Sequence, residues 1–164
     1  MPKNYIYRMD HDTGFAPHAD KDLCFLSGCK KTTIEKWAKD GSWVIGIGGN
    51  HTEKPDKIIY VMEVKYALPY KEFKAKYPSR GDYLESKKAG PNVLVSNHYV
   101  YFGDQAIELP KELKGIIKKT QGCKCVSDED IKKLEKHLNA KNTWGKVGKP
   151  NNPKQSGSSK KCSC

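Results

Sequence analysis

Aromatic and aliphatic residues alternate from Tyr5 to Met9 in the manner of a strand, and Asp12-Thr13-Gly14 supplies the turn chemistry that ends it. Two later segments are apolar without interruption: Trp43 to Ile47, which runs into Gly48-Gly49-Asn50, and Ile58 to Val64. Such runs suit strands buried on both faces, and the polar loop between them predicts an antiparallel pair at the centre of a sheet. Asn92 to Val95 and Tyr99 to Phe102 read as two further strands. Helical signals are shorter. Thr32 and Glu35 have capping-box spacing for a helix through Ala38, closed by Lys39-Asp40-Gly41. Pro69 opens a helix through Lys76, and Pro110 opens another ending near Ile117. Ser127 caps a last one, with Val126 and Ile131 spaced as a hydrophobic staple and Leu134 and Leu138 continuing the stripe. The pattern predicts an α+β fold in which one curved, mostly antiparallel, barrel-like sheet is packed by three or four short helices.

Beyond Asn139 apolar residues nearly vanish and Gly, Pro, Asn, Ser and Lys take over. Residues 1–139 are therefore the expected single domain and 140–164 an expected disordered basic tail. At 164 residues the chain suits one core. No apolar run approaches the length of a membrane span, and Met1-Pro2-Lys3 leads into a strand pattern without the apolar segment of a signal peptide. A cytoplasmic protein without a membrane partner is the expectation. The net charge of +11 is uneven: no acid follows Glu135, while seven lysines do. A basic tail on a nearly balanced domain suits a polyanion, nucleic acid being the commonest, and Lys30, Lys146, Lys149, Lys160 and Lys161 are candidate contacts to its backbone. A merely solubilising tail fits the same composition.

Candidate chemistry gathers at strand ends. Asp10, His11, Asp12 and Thr13 put two carboxylates, an imidazole and a hydroxyl within four residues, enough for acid-base work, metal binding or hydrogen bonding to a base edge. Asp12-Thr13-Gly14 also makes a plain turn with the aspartate bonded to its own backbone. Cys29, ahead of Lys30 and Lys31 near a helix start, is a nucleophile candidate, although Cys24 and Cys29 flank Phe25 and Leu26 as small core residues would. Their spacing is wider than that of a zinc site, and no metal site is predicted. Gly46-Ile47-Gly48-Gly49-Asn50 leaves room for a phosphate or base near Gly48, Gly49 and Asn50, or makes a tight corner. Asn97, His98, Tyr99, Tyr101, Phe102 and Asp104 combine stacking faces with base-reading groups, as a pocket for an unstacked base requires. Strand alternation puts Tyr99 and Tyr101 on one face and His98, Val100 and Phe102 on the other, of which one is expected to be core. Cys123-Lys124-Cys125 and Cys162-Ser163-Cys164 are too closely spaced for a usual zinc knuckle.

Tyr5 to Met9 leading into Asp12-Thr13-Gly14-Phe15-Ala16-Pro17, then Leu23-Cys24, Cys29-Lys30, Gly41 to Gly49, and Tyr101-Phe102-Gly103-Asp104 with Ala106 give the chain its resemblance to a known family. Over roughly residues 5 to 115 it resembles the nucleotide modification associated domain 2 family of phage and prokaryotic proteins. Ser42 stands where that pattern has an aspartate, and Lys36 where arginine is usual. The resemblance implies a link to DNA base modification without naming a reaction. The Trp43 strand, Ile58 strand and following helix are also similar to small barrels that read modified bases, which is fold analogy.

These readings converge on a nucleic-acid-associated domain acting in DNA base modification, with modification-pathway enzymes as possible partners. Asp12 and His11, with Cys29, are the catalytic candidates; Asp10, Thr13, Gly14, Phe15, Tyr101 and the neighbours named above would hold the base. A non-catalytic reader of modified bases is the first alternative, and a metal or thiol-redox protein using Cys24, Cys29 and the histidines the second. Whether the chain is itself an enzyme, its cofactor and its oligomeric state are not fixed by these residues.

Overall fold

The computed structural model describes residues 2–28, 32–83, 90–117, 119–120 and 122–153. In chain order they form β1 (Asn4–Met9), β2 (His18–Asp20), β3 (Leu23–Leu26), α1 (Thr32–Trp37), β4 (Trp43–Gly48), β5 (Lys57–Glu63) and β6 (Tyr66–Leu68). There follow α2 (Tyr70–Lys76), β7 (Val93–Ser96), β8 (His98–Tyr101), β9 (Ile107–Glu108), β10 (Cys123–Val126), α3 (Asp128–Lys141) and β11 (Gly145–Lys146). The predicted apolar runs are the central strands: β4 and β5 pair antiparallel, Val44 opposite Met62 and Ile45 opposite Val61. Ser127 caps α3 as expected, its hydroxyl accepting from the Asp130 backbone N–H over 3.1 Å. Pro69 stands just ahead of α2, and the helix expected after Pro110 is a 3-10 turn over Lys111–Ile116.

The fold is α+β, with its strands in two sheets. The larger has the order β10-β1-β4-β5-β8-β11, and β9 also pairs with β5. Two of its pairs are parallel, β1 with β4 and β11 with β8. The smaller sheet is antiparallel, in the order β2-β3-β7-β6. A closed barrel is absent among the described residues, since the larger sheet ends at β10 and β11. The reason lies in strands too short to read from sequence: β3 and β6 draw β7 into a second sheet. The switch between sheets is the turn at Ser96, whose hydroxyl donates to the His98 carbonyl and accepts from the His98 N–H.

Both faces of the larger sheet are buried. Tyr5, Tyr7, Met9, Val44, Tyr60, Met62, Tyr99 and Tyr101 pack toward the smaller sheet and α1, where Cys24, Leu26, Ile34 and Leu94 meet them. On the other face Ile6, Ile45, Val61, Val100 and Phe102 pack with Leu113 and with Ile131, Leu134 and Leu138 of α3. Strand alternation in β8 was right about which residues share a face, and wrong that only one face is core. A third cluster joins Phe25, Val93 and Val95 to Phe73 of α2.

Residues 140–153 do not form the disordered tail expected after Asn139. Asn142 ends α3 in the left-handed region, at φ 48, and the chain turns back onto the domain. Trp144 packs against His98, ring centroids 4.0 Å apart, and β11 then lies beside Val100 and Tyr101. This strap is held by backbone pairing rather than by apolar bulk, so its composition reads as disorder. The remainder of the predicted tail, with Lys160, Lys161 and Cys162-Ser163-Cys164, lies outside the described residues, as do Cys29 and Lys30. Among the described residues no helix is long and apolar enough to cross a membrane.

Candidate functional site

β1 ends at Met9, and the turn that follows carries Asp12 to the bottom of the site. Asp12 is fully buried. Its Oδ1 accepts the Tyr101 hydroxyl over 2.5 Å, and its Oδ2 accepts both the backbone N–H and the side-chain amide of Asn151, each at 2.9 Å. Its main chain is also tied to the strap: Asp12 N–H donates to Asn152 Oδ1 and Asn152 N–H to the Asp12 carbonyl. Desolvation pushes the Asp12 carboxyl above its ordinary pKa, against the lowering effect of the Tyr101 and Asn151 bonds. Burial, and then the neighbouring Asp12 charge, hold the Tyr101 phenol protonated. Asp12 is therefore a clasp between the two ends of the domain, and the enclosure leaves it no contact with solvent.

Above this clasp opens a cleft of about 340 Å³, walled by Thr13, Gly14, Phe15, His18, Tyr101 and Lys146, with Pro150 of the strap closing one side. Its volume is at the small end of ligand sites. Gly14 has φ +84, and a Cβ there would come within 2.7 Å of Pro150 Cγ, so glycine is required both by the turn and by the strap's approach. His18 Nδ1 is 3.0 Å from the Gly14 carbonyl oxygen, which can only accept. The neutral ring therefore carries its proton on Nδ1 and has Nε2 as its acceptor nitrogen. His18 also lies parallel to Phe25, at 9° between planes. Together Phe15, His18, Thr13 and Lys146 offer ring faces, edge hydrogen-bonding groups and a cation to a planar, negatively charged ligand.

The structure thus brings together Thr13, Gly14, Phe15, Tyr101 and Lys146 from widely separated parts of the sequence. Asp104 and Lys149 lie alongside, paired through the strap: Asp104 N–H donates to the Lys149 carbonyl and Asp104 Oδ1 accepts from Lys149 N–H. Asp10 and His11 face another way. His11 Nδ1 is 3.2 Å from Asp10 Oδ2, and its ring stacks on His51 at 5.4 Å. Asn97 is exposed in the β7–β8 turn, at the opposite end of β8 from Tyr101. Phe102 is a core residue, packed on the α3 side of the sheet, and does not line the cleft. Gly48 and Gly49 form a tight corner: Gly49 N–H donates to the Met9 carbonyl, and a Cβ at Gly48 would strike the Lys54 carbonyl. Asn50 beside them is exposed and accepts weakly from Arg8, at 3.5 Å.

Three participants escape a reading of the sequence: Asn151, Pro150 and the wall position of His18. Asn151 and Pro150 fall in a stretch whose Asn and Pro content signals a loop, and nothing local reports that a buried carboxylate is waiting for them. Among the described residues no three His, Cys, Asp or Glu side chains converge as a metal site would need. Cys24 is fully buried and its thiol is pushed up by desolvation, so it is no thiolate nucleophile.

An α+β domain of two sheets, with a cleft walled on one side by its own C-terminal strap, is the class that fold and site define. The chain belongs to the nucleotide modification associated domain 2 family, whose sequence profile matches residues 1–88 and 78–157. No curated protein matches it. Among solved structures it is similar to the ASCH protein of Zymomonas mobilis, at 10% identity and TM-score 0.42 over 82% of this chain and 94% of that one. A single-residue variant of the same protein matches at 12% identity and TM-score 0.41, over 84% and 99%.

Proposed function

We propose that the cleft holds one unstacked base, and that the chain acts in DNA base modification as the domain presenting or recognising that base. The observation that carries this reading is the cleft's composition: Phe15, His18, Thr13 and Lys146 around about 340 Å³, in a member of a nucleotide-modification family. Modification-pathway enzymes acting beside the chain in the cytoplasm belong to the same proposal, as does contact of Lys146 and Lys149 with phosphate. The enclosure of Asp12 favours the second reading, a reader without turnover, because the strongest acid-base candidate supports the wall instead of touching a ligand.

The test is equilibrium binding of mononucleotides and short strands, unmodified and modified, to wild type, Phe15→Ala and Lys146→Glu. Phe15→Ala is expected to weaken binding by about tenfold, the order of one lost stacking contact. Lys146→Glu should weaken it and reduce the salt dependence. Binding untouched by both variants removes the cleft. Mass spectrometry of the recovered base then separates the readings: a changed mass requires catalysis, and an unchanged one leaves the reader.

A further inference from the structure

A second concavity lies at the other end of the larger sheet. It is a groove of about 460 Å³ between α1, the N-terminal segment and β10, walled by Lys3, Tyr5, Trp37, Lys39 and Cys125. No acidic residue lines it among the described residues. Trp37 is 56% exposed, where every other tryptophan or tyrosine of the larger sheet's core is buried or half-buried. Its position is fixed by the helix. Ile34 and Ala38 of the same segment are sunk in the core with Glu35 buried beside them, while Lys36 and Trp37 face outward. Lys36 Nζ sits 5.0 Å from the Trp37 ring centroid, which puts a cation beside the indole face. The neighbouring acids are engaged elsewhere: Glu35 is buried on the inner side of α1, and Asp40 accepts from the Ala67 N–H.

An outward tryptophan among lysines, on a helix whose other side is anchored, combines a stacking platform with charges for a polyanion. We propose that this groove is a second contact for single-stranded nucleic acid, in which Trp37 stacks on a base and Lys3, Lys36 and Lys39 meet the adjoining phosphates. It rests on the reading of the chain as nucleic-acid-associated, but not on the cleft. The two sites share no wall residue: the groove takes Tyr5 of β1 and Cys125 of β10, and the cleft Tyr101 of β8 and Lys146 of β11, with β4 and β5 between those strands. One can be lost while the other remains. The groove would hold a strand whose target base occupies the cleft or is being delivered to it.

The experiment uses the full chain and fluorescently labelled homothymidine and homouridine strands, read by anisotropy, with tryptophan emission followed in parallel using unlabelled strands. Expected are quenching of wild-type emission at saturation, and an affinity that falls about tenfold or more in Trp37→Ala, with mononucleotide binding at the cleft unchanged. Lys39→Glu should weaken strand binding and lower the salt slope by about one. Trp37 is exposed, so its replacement does not empty the core. Strand affinity equal in wild type and Trp37→Ala overturns the proposal, as does wild-type emission that saturating strand leaves unmoved. Strand binding abolished by Lys146→Glu yet indifferent to Trp37→Ala would overturn the groove and keep the cleft. The reverse pattern would keep the groove and overturn the cleft. Equal effects on both strands would assign recognition to the features they share, the pyrimidine ring and the phosphates, and a preference for one would assign a role to the 5-methyl group or the 2′-hydroxyl by which they differ.

Discussion

Asn151 donates twice to one oxygen of Asp12, from its backbone N–H and from its side-chain amide, each over 2.9 Å. The other oxygen takes the Tyr101 hydroxyl. Residues from the start, middle and end of the chain are thereby joined on one carboxylate that solvent does not reach.

Asp12→Ala leaves these donors without their acceptor. A hydrogen bond to a charged group contributes about 1.5–3 kcal/mol, so a loss of roughly 2–4 kcal/mol is expected after partial relaxation of the strap. Chemical denaturation measures the loss. Hydrogen exchange locates it, with amides of Lys149, Asn151 and Asn152 deprotected and those of β4 and β5 little changed at equal stability. A variant as stable as wild type, with a protected strap, would remove the clasp.

The same carboxyl has a predictable pH dependence. Desolvation is the largest influence on Asp12 and raises its pKa above the ordinary 3.8, so the folded state holds this proton to higher pH than the unfolded state does. Its contribution is fully present below the unfolded value and is lost as pH rises through the folded one. Urea unfolding from about pH 3 to about pH 7 should therefore show wild-type stability falling relative to Asp12→Asn, which carries no titrating group there. A difference that rises with pH would mean that the hydrogen bonds from Tyr101 and Asn151 outweigh desolvation.

The central strands were legible because burial on both faces leaves an unmistakable apolar run, as in Ile58 to Val64. The small sheet was not. β2 and β6 have three residues each, and their pairing with β3 and β7 is set by tertiary packing rather than by local pattern. The site divided along the same line. The turn at Thr13, Gly14 and Phe15 announces itself by its residue types, and Lys146 by its charge, and all four reached the cleft. What Asp12 does is decided by Asn151, 139 positions away, and no local spacing encodes that partner. Phe102 misled because an aromatic residue beside a glycine looks the same whether it faces a ligand or α3.

Gly46 tests the packing under the tyrosine row. It stands opposite Tyr60, and a Cβ there would meet the Tyr60 ring and come within 2.8 Å of Met9 Sδ. Tyr60 cannot move aside without breaking its 2.7 Å hydrogen bond with Tyr7. Gly46→Ala is therefore expected to cost about 1–3 kcal/mol as overpacking, read from the denaturation midpoint. Gly115→Ala, where nothing lies within 4 Å of the added carbon, serves as control and should leave the midpoint within about 0.5 kcal/mol of wild type. Equal effects at the two sites would mean that the core is loose around Tyr60.

Cysteine reactivity decides what is left of the thiol-redox alternative for the described residues. Cys24 is buried in the core and its thiol is pushed up by desolvation, whereas Cys123 is half-buried and Cys125 exposed along β10. Alkylation of the native chain near pH 8, followed by peptide mass spectrometry, should label Cys125 fastest, Cys123 more slowly, and Cys24 only as fast as the domain opens. Adding denaturant below the unfolding transition should accelerate Cys24 alone. Rapid native labelling of Cys24 would contradict its burial and restore it to the thiol-redox alternative; its protection confines any thiol chemistry of these three to the groove beside Trp37, which Cys123 and Cys125 line.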